Sequence, residues 1–213
     1  FDRDCRAARK EVQQACIRQT LSPDREQRLA HLLLRGSNSR RNLELAATDE
    51  MLAIARDVRP ADCCFVPERR EEVTTEGGLD IAGQSQRVAE GCRVLAAAGV
   101  RVALFIDADP RQIEAAAQTG APVVELHTGA YAQASGGAIA VELEKLSTGA
   151  RLAASFGLEV HAGHGLHYHN VEPVAAIPAI VELNIGHAII ARSVLEGLPA
   201  AVRAMKATML AAR

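Results

Sequence analysis

From Arg41 to the C-terminus the chain repeats one pattern six times: a short run of β-branched and aliphatic residues, a loop, then a longer segment with helical periodicity. Alternation of this kind builds consecutive βα units on a parallel sheet, because parallel neighbours need a crossover long enough to hold a helix. Strands are expected at 42–46, 63–67, 102–107, 123–127, 158–162 and 181–185. Helices are expected at 48–56, 85–98, 110–119, 138–156, 171–177 and 193–212. Thr48 followed by Asp49 and Glu50 reads as a capped helix start, and Asp109 before Pro110 as another. Aromatic residues make up only 3% of the chain and Trp is absent, so Ala, Val, Ile and Leu must form the core.

Residues 1–40 differ in character. They are rich in Arg and Gln, with helical stretches at about 4–21 and 23–34, a start signal at Ser22-Pro23 and a stop at Gly36-Ser-Asn-Ser39. The domain reading is an atypical helical segment over 1–40 followed by βα units over 41–213. His31, alone on a Leu-rich helix, reads as packing or surface.

A net charge of −2 gives no general attraction to nucleic acid or to an acidic membrane. Charges interrupt every apolar run before membrane-spanning length, and residues 1–9 lack the apolar centre of a secretion signal. The expectation is a cytoplasmic protein with no nucleic-acid or membrane partner. Five cysteines, at 5, 16, 63, 64 and 92, form no CxxC pair and suit neither a disulfide framework nor a thiolate zinc site. They read as small buried residues.

Chemically capable side chains recur where the predicted strands end: Glu44, Glu68, Asp107, Glu125, His127, His164 and His187. Ligands of parallel α/β folds bind at the carboxyl ends of strands, so this spacing points to one composite site. Four of the seven histidines fall within 161–169. They lack the i, i+4 spacing of a helical metal pair and would diverge from a strand entering a loop, so no metal is expected. His167 and His169 read as surface residues. His164 lies between Gly163 and Gly165, which permit a sharp turn or close approach to a ligand, and its imidazole suits proton transfer near neutrality. The connection over 67–80 is longer than most loops of compact domains and ends in Thr74-Thr-Glu-Gly-Gly78, a composition suited to holding a phosphate or closing over a substrate. Gly186-His187, at the tip of the last strand, is suited to presenting backbone N–H groups to an anion, with Gly165 as its counterpart.

Six segments carry a family resemblance: Asn42-Leu-Glu-Leu-Ala-Ala-Thr-Asp-Glu-Met51, Val66-Pro-Glu-Arg-Arg-Glu-Glu-Val-Thr-Thr-Glu-Gly-Gly-Leu-Asp80, Leu104-Phe-Ile-Asp-Ala-Asp109, Glu125-Leu-His-Thr-Gly129, His161-Ala-Gly-His-Gly-Leu166 and Glu182-Leu-Asn-Ile-Gly-His-Ala-Ile-Ile190. Together they resemble the pyridoxine 5′-phosphate synthase family, continuously from about Arg41 onward. The resemblance implies a (β/α)8 TIM barrel, assembly as a homo-octamer, and no metal or organic cofactor. The implied reaction condenses 1-deoxy-D-xylulose 5-phosphate with 3-amino-2-oxopropyl phosphate to pyridoxine 5′-phosphate, releasing phosphate and water. By motif, Glu44 is implied as proton acceptor, His164 as proton donor and Glu125 as stabiliser of the transition state. Thr74 is implied to contact the deoxyxylulose phosphate, with Gly165, Gly186 and His187 holding the amino-ketone phosphate.

The family's first two strands, with their Asn-Asp-His and His-Leu-Arg segments, have no counterpart here, and 10–40 looks unlike the family. The fold expected is therefore an incomplete barrel of six βα units. A truncated or rearranged member with impaired activity, binding phosphorylated ligands or pairing with intact subunits, is the alternative reading. An aldolase with a Schiff-base lysine fits less well, because Lys10, Lys145 and Lys206 all lie in helical segments.

Overall fold

A computed structural model describes residues 42–68 and 77–213. The helices expected at 4–21 and 23–34, His31, Lys10, Cys5, Cys16, Thr74 and Thr75 lie outside the described residues. Six strands form one parallel sheet in sequence order: β1 (Asn42–Leu45), β2 (Asp62–Phe65), β3 (Arg101–Ile106), β4 (Val123–His127), β5 (Glu159–Gly163) and β6 (Ile180–Asn184). Each pairs only with its neighbours in the chain, as right-handed βα crossovers dictate.

Between them run α1 (Asp49–Val58), α2 (Ser85–Ala97), α3 (Pro110–Ala117), α4 (Gly129–Gln133), α5 (Ala138–Ser155) and α6 (Val171–Ala175), with α7 (His187–Glu196) and α8 (Leu198–Ala211) after β6. Local chemistry fixes several boundaries. The Thr48 hydroxyl accepts from the Met51 N–H at 3.3 Å to cap α1, and the Asp109 carboxylate accepts from Arg111 N–H at 2.8 Å to cap α3, with Pro110 in its first turn.

Alternation along the strands sorts the side chains into two faces. Leu45, Cys63, Phe65, Val102, Leu104, Ile106, Val124, Leu126 and Val160 pack with Leu52, Val88, Leu95, Ile113 and Leu146 of the helices in one large core. On the other face Cys64, Ala103 and Val123 form a small cluster, with Val66 and Phe105 against it. This is a half-barrel, and the second face is its inner wall. The register places Glu44 opposite Cys64, Phe105 opposite Glu125, Glu125 opposite His161 and Gly163 opposite Asn184 along that wall.

All six expected strands are present, most displaced by one residue. The end of the chain differs from expectation. Instead of one helix over 193–212, α7 starts six residues earlier, at His187, and the chain breaks at Gly197, after which Pro199 sits in the first turn of α8. The short helix α4 was also not expected, its Gly-Ala-Tyr-Ala-Gln composition being too brief to show a period. Cys63, Cys64 and Cys92 are buried and free, as small core residues.

Candidate active site

Glu125 projects from β4 onto the inner wall and is only 5% exposed. The Asn184 side-chain amide, at the end of β6, donates to its Oε2 at 2.7 Å, and the Cys64 thiol approaches the same oxygen at 3.7 Å. Burial pushes the Glu125 carboxyl up to about 7; the Asn184 hydrogen bond opposes the rise and the negative charge of Glu44 adds to it. A carboxyl tuned to neutrality holds its proton about half the time, so it can donate or accept one without a large free-energy cost. Burial foremost, then the Glu125 and Glu44 charges, raises the Cys64 thiol well above its ordinary range, which makes it a neutral neighbour rather than a nucleophile.

Gly163 ends β5 directly beside this carboxylate: a Cβ there would collide with Glu125 Oε1 and meet Asn184 O at 2.9 Å. The next residue, His164, adopts φ +83°, a conformation that a side chain with a Cβ rarely takes. Thr128 holds it there. Its hydroxyl lies 2.7 Å from the Gly163 carbonyl and 2.6 Å from the His164 carbonyl, so one hydrogen serves both, and its N–H donates to Gly163 O at 2.8 Å. Thr128→Val keeps the shape and the backbone bond but strips the hydroxyl from two carbonyls. It should cost about 1–3 kcal/mol in urea unfolding.

The His164 ring stacks edge-on against His127, with centroids 4.9 Å apart. His127 is in turn fixed by the Asp107 carboxylate, Nδ1 to Oδ1 3.1 Å, and by an edge contact with Phe105. The same Asp107 oxygen accepts the Gly78 N–H at 3.1 Å, and Gly78 lies so flat on the Ile106–Asp107 peptide that a Cβ would overlap it. On the far side of Glu125, β6 leads into α7, whose first residue is His187 and whose cap is Gly186. The opening N–H groups of that helix have no carbonyl partner within it, and both residues are exposed.

The structure therefore brings Glu44, Glu125 and His164 to one wall and its rim, with Gly165 next to His164 and Gly186-His187 at the end of the adjoining strand. Thr74 lies outside the described residues. Glu68 is exposed, as are His167 and His169, while His161 is buried toward the opposite end of the wall, bonded to Glu159 at 2.8 Å and near Arg101. Sequence reasoning did not single out Asn184, Thr128 or the Cys64 contact. Asn184 had the available signal, a polar residue at a strand end two places before Gly186; Thr128 and Cys64 are typical core or cap residues whose neighbours lie on other strands.

A family model described as pyridoxal phosphate biosynthesis protein PdxJ matches residues 22–211. The chain belongs to the PdxJ family. The match starts at residue 22, ahead of Arg41, so it takes in 22–40, part of the 10–40 stretch that looks unlike the family by motif. Pyridoxine 5′-phosphate synthase of Pseudoalteromonas translucida (strain TAC 125) is 55% identical over 189 residues, covering 88% of this chain and 78% of the relative. Among solved structures, an HpcH/HpaI aldolase/citrate lyase family protein from Burkholderia cenocepacia J2315 superposes with a TM-score of 0.51 at 18% identity, covering 87% of this chain and 80% of that one. The Amycolatopsis orientalis BexX/CysO complex gives 0.52 at 18% identity, covering 75% and 59%. These two likenesses concern the barrel fold alone.

Proposed function

We propose that this PdxJ-family chain is a pyridoxine 5′-phosphate synthase, condensing 1-deoxy-D-xylulose 5-phosphate with 3-amino-2-oxopropyl phosphate and releasing phosphate and water. The observation that carries the reading is the Glu125 carboxyl, poised near neutrality on the inner wall within electrostatic reach of Glu44 and beside the strand that leads into His164. Joining an amine to a ketone, expelling phosphate and closing a ring all require protons to move between positions of one bound intermediate. Glu44 takes a proton from the substrate, His164 delivers one to a departing oxygen, and Glu125 stabilises the charge that develops between them.

Gly165, Gly186 and His187 hold the phosphate of the amino ketone, an assignment supported by the helix start at His187. Thr74 contacts the deoxyxylulose phosphate. The reaction needs neither metal nor organic cofactor, and the working assembly is a homo-octamer in the cytoplasm.

The test is formation of pyridoxine 5′-phosphate from the two substrates by the purified chain, followed by chromatography. His164→Asn should lower turnover by about 10²–10⁴-fold, the usual worth of a positioned proton donor. Binding of both phosphorylated substrates without product, whether the chain is alone or mixed with an intact synthase, would replace this reading with that of a binding subunit.

A further inference from the structure

We propose that Asp107 and His127 form a positioning pair that sets the His164 imidazole for proton delivery, an inference that rests on the synthase reading. His127 has no role in that reading, yet among the described residues it is the one side chain in ring contact with both Phe105 and His164. Its side chain is 9% exposed and that of Asp107 only 4%, so the pair is screened from water and its hydrogen bond is correspondingly directional.

The chemistry of the pair fixes an orientation. A carboxylate only accepts, so the 3.1 Å contact is met by a hydrogen on Nδ1 of His127, and in the neutral imidazole this selects the Nδ1–H tautomer. Packing closes the other freedoms. A Cβ at Gly129 would collide with Nε2, and one at Gly77 would stand 3.0 Å from Cε1, so backbone lies against the ring on both edges. Phe105 occupies a third side at a centroid distance of 5.0 Å. A ring confined in this way is a fixed wall, and His164 leans on it.

His164 is exposed and its backbone lies in the left-handed region, with the His127 ring against one side of its imidazole. Thr128 fixes the peptide, while His127 limits the side chain. Asp107 also ties this arrangement to the end of the long connection after β2, because its Oδ1 accepts from Gly78 as well as from His127. One carboxylate therefore holds both the ring behind the proton donor and Gly78, where the connection lies against the end of β3 before entering α2.

Two measurements test the pair. In turnover, His127→Phe keeps a ring against Phe105 and His164 but loses the bond to Asp107; it should lower kcat about 100-fold, the penalty of a small misplacement, with KM for both substrates nearly unchanged. Asp107→Ala should do the same, while Asp107→Asn, whose carbonyl can still accept from His127 and Gly78, should stay within about tenfold of the wild type by the usual worth of one retained hydrogen bond. Wild-type kcat in His127→Phe, or a loss confined to KM, would overturn the inference.

The second measurement needs no turnover. Imidazole ¹⁵N spectra of the free protein at pH 8 should show His127 as the Nδ1–H tautomer, with Asp107→Ala converting it to Nε2–H and shifting the His164 signals. An Nε2–H tautomer in the wild type, or His164 signals indifferent to Asp107→Ala, would overturn it. If the spectra behave as expected but the wild type forms no product, the synthase reading alone fails.

Discussion

Glu125→Gln should yield a protein that is more stable than the wild type above pH 7 and nearly inactive. The carboxyl titrates near 4.5 when unfolded and at about 7 in the fold, so between those values the native state binds the extra proton. Wild-type stability attributable to this group is therefore greatest below pH 4.5, falls as pH rises through 7, and stays low above it. A shift of this size is worth about 3 kcal/mol. Glutamine carries no charge at any pH and its carbonyl still accepts from Asn184, so the variant avoids that cost. Urea denaturation at pH 8 should show a gain approaching that figure, and at pH 4.5 none. Turnover should fall by about 10²–10³-fold, the usual consequence of removing a group that stabilises transition-state charge. Equal unfolding midpoints at pH 8 would mean that Glu125 is hydrated rather than buried.

Gly163→Ala should lower both stability and turnover, through crowding rather than charge. The added methyl would contend with the Glu125 carboxylate, the Asn184 carbonyl at 2.9 Å and the Asn184 Cβ at 3.1 Å. None is the free end of a surface side chain, so either the carboxylate leaves its bond to Asn184 or β5 and β6 move apart. Overpacking of this kind typically costs about 1–3 kcal/mol. Because the displaced atoms belong to the site, kcat should fall about 100-fold as well. Thermal unfolding reads the first effect, and loss of the shifted Asn184 side-chain amide signal reads the second. A variant with wild-type stability and that signal intact would show that the wall yields at no cost.

The strands were legible because each is a short stretch rich in apolar residues set between longer helical segments, and their order followed from the βα alternation. The rim of the site was legible for the same reason: Glu44, Asp107, Glu125, His127 and His164 stand out as polar residues where apolar runs stop. What one sequence does not display is which of these polar ends touch. Asn184 meets Glu125 across 59 positions, and Thr128 meets His164 across 36. Such pairings depend on register, and register emerges only when the sheet is assembled. The bracketing glycines illustrate the point. Gly163 and Gly165 were expected to permit a sharp turn or a close approach; Gly163 leaves room for a carboxylate, while the left-handed turn falls on His164 and Gly165 together. The division of the last helix at Gly197 was hidden because an apolar period runs through both halves.

The sequential strand order has a kinetic consequence. Among the described residues each strand pairs with its sequence neighbours alone, so contacts are mostly between adjoining βα units and the sheet can grow by adding one unit to the next, at modest loop-closure cost. The wall that bears the chemistry has the opposite character. Glu44 comes from the first described unit and Asn184 from the last, and Glu125 is tuned by both. Beyond the rise that burial causes, the ionisation of Glu125 is thus set from both ends of the sheet, Asn184 of β6 drawing its carboxyl back down and Glu44 of β1 pushing it up, so the arrival of β6 is the step that restrains the group's rise.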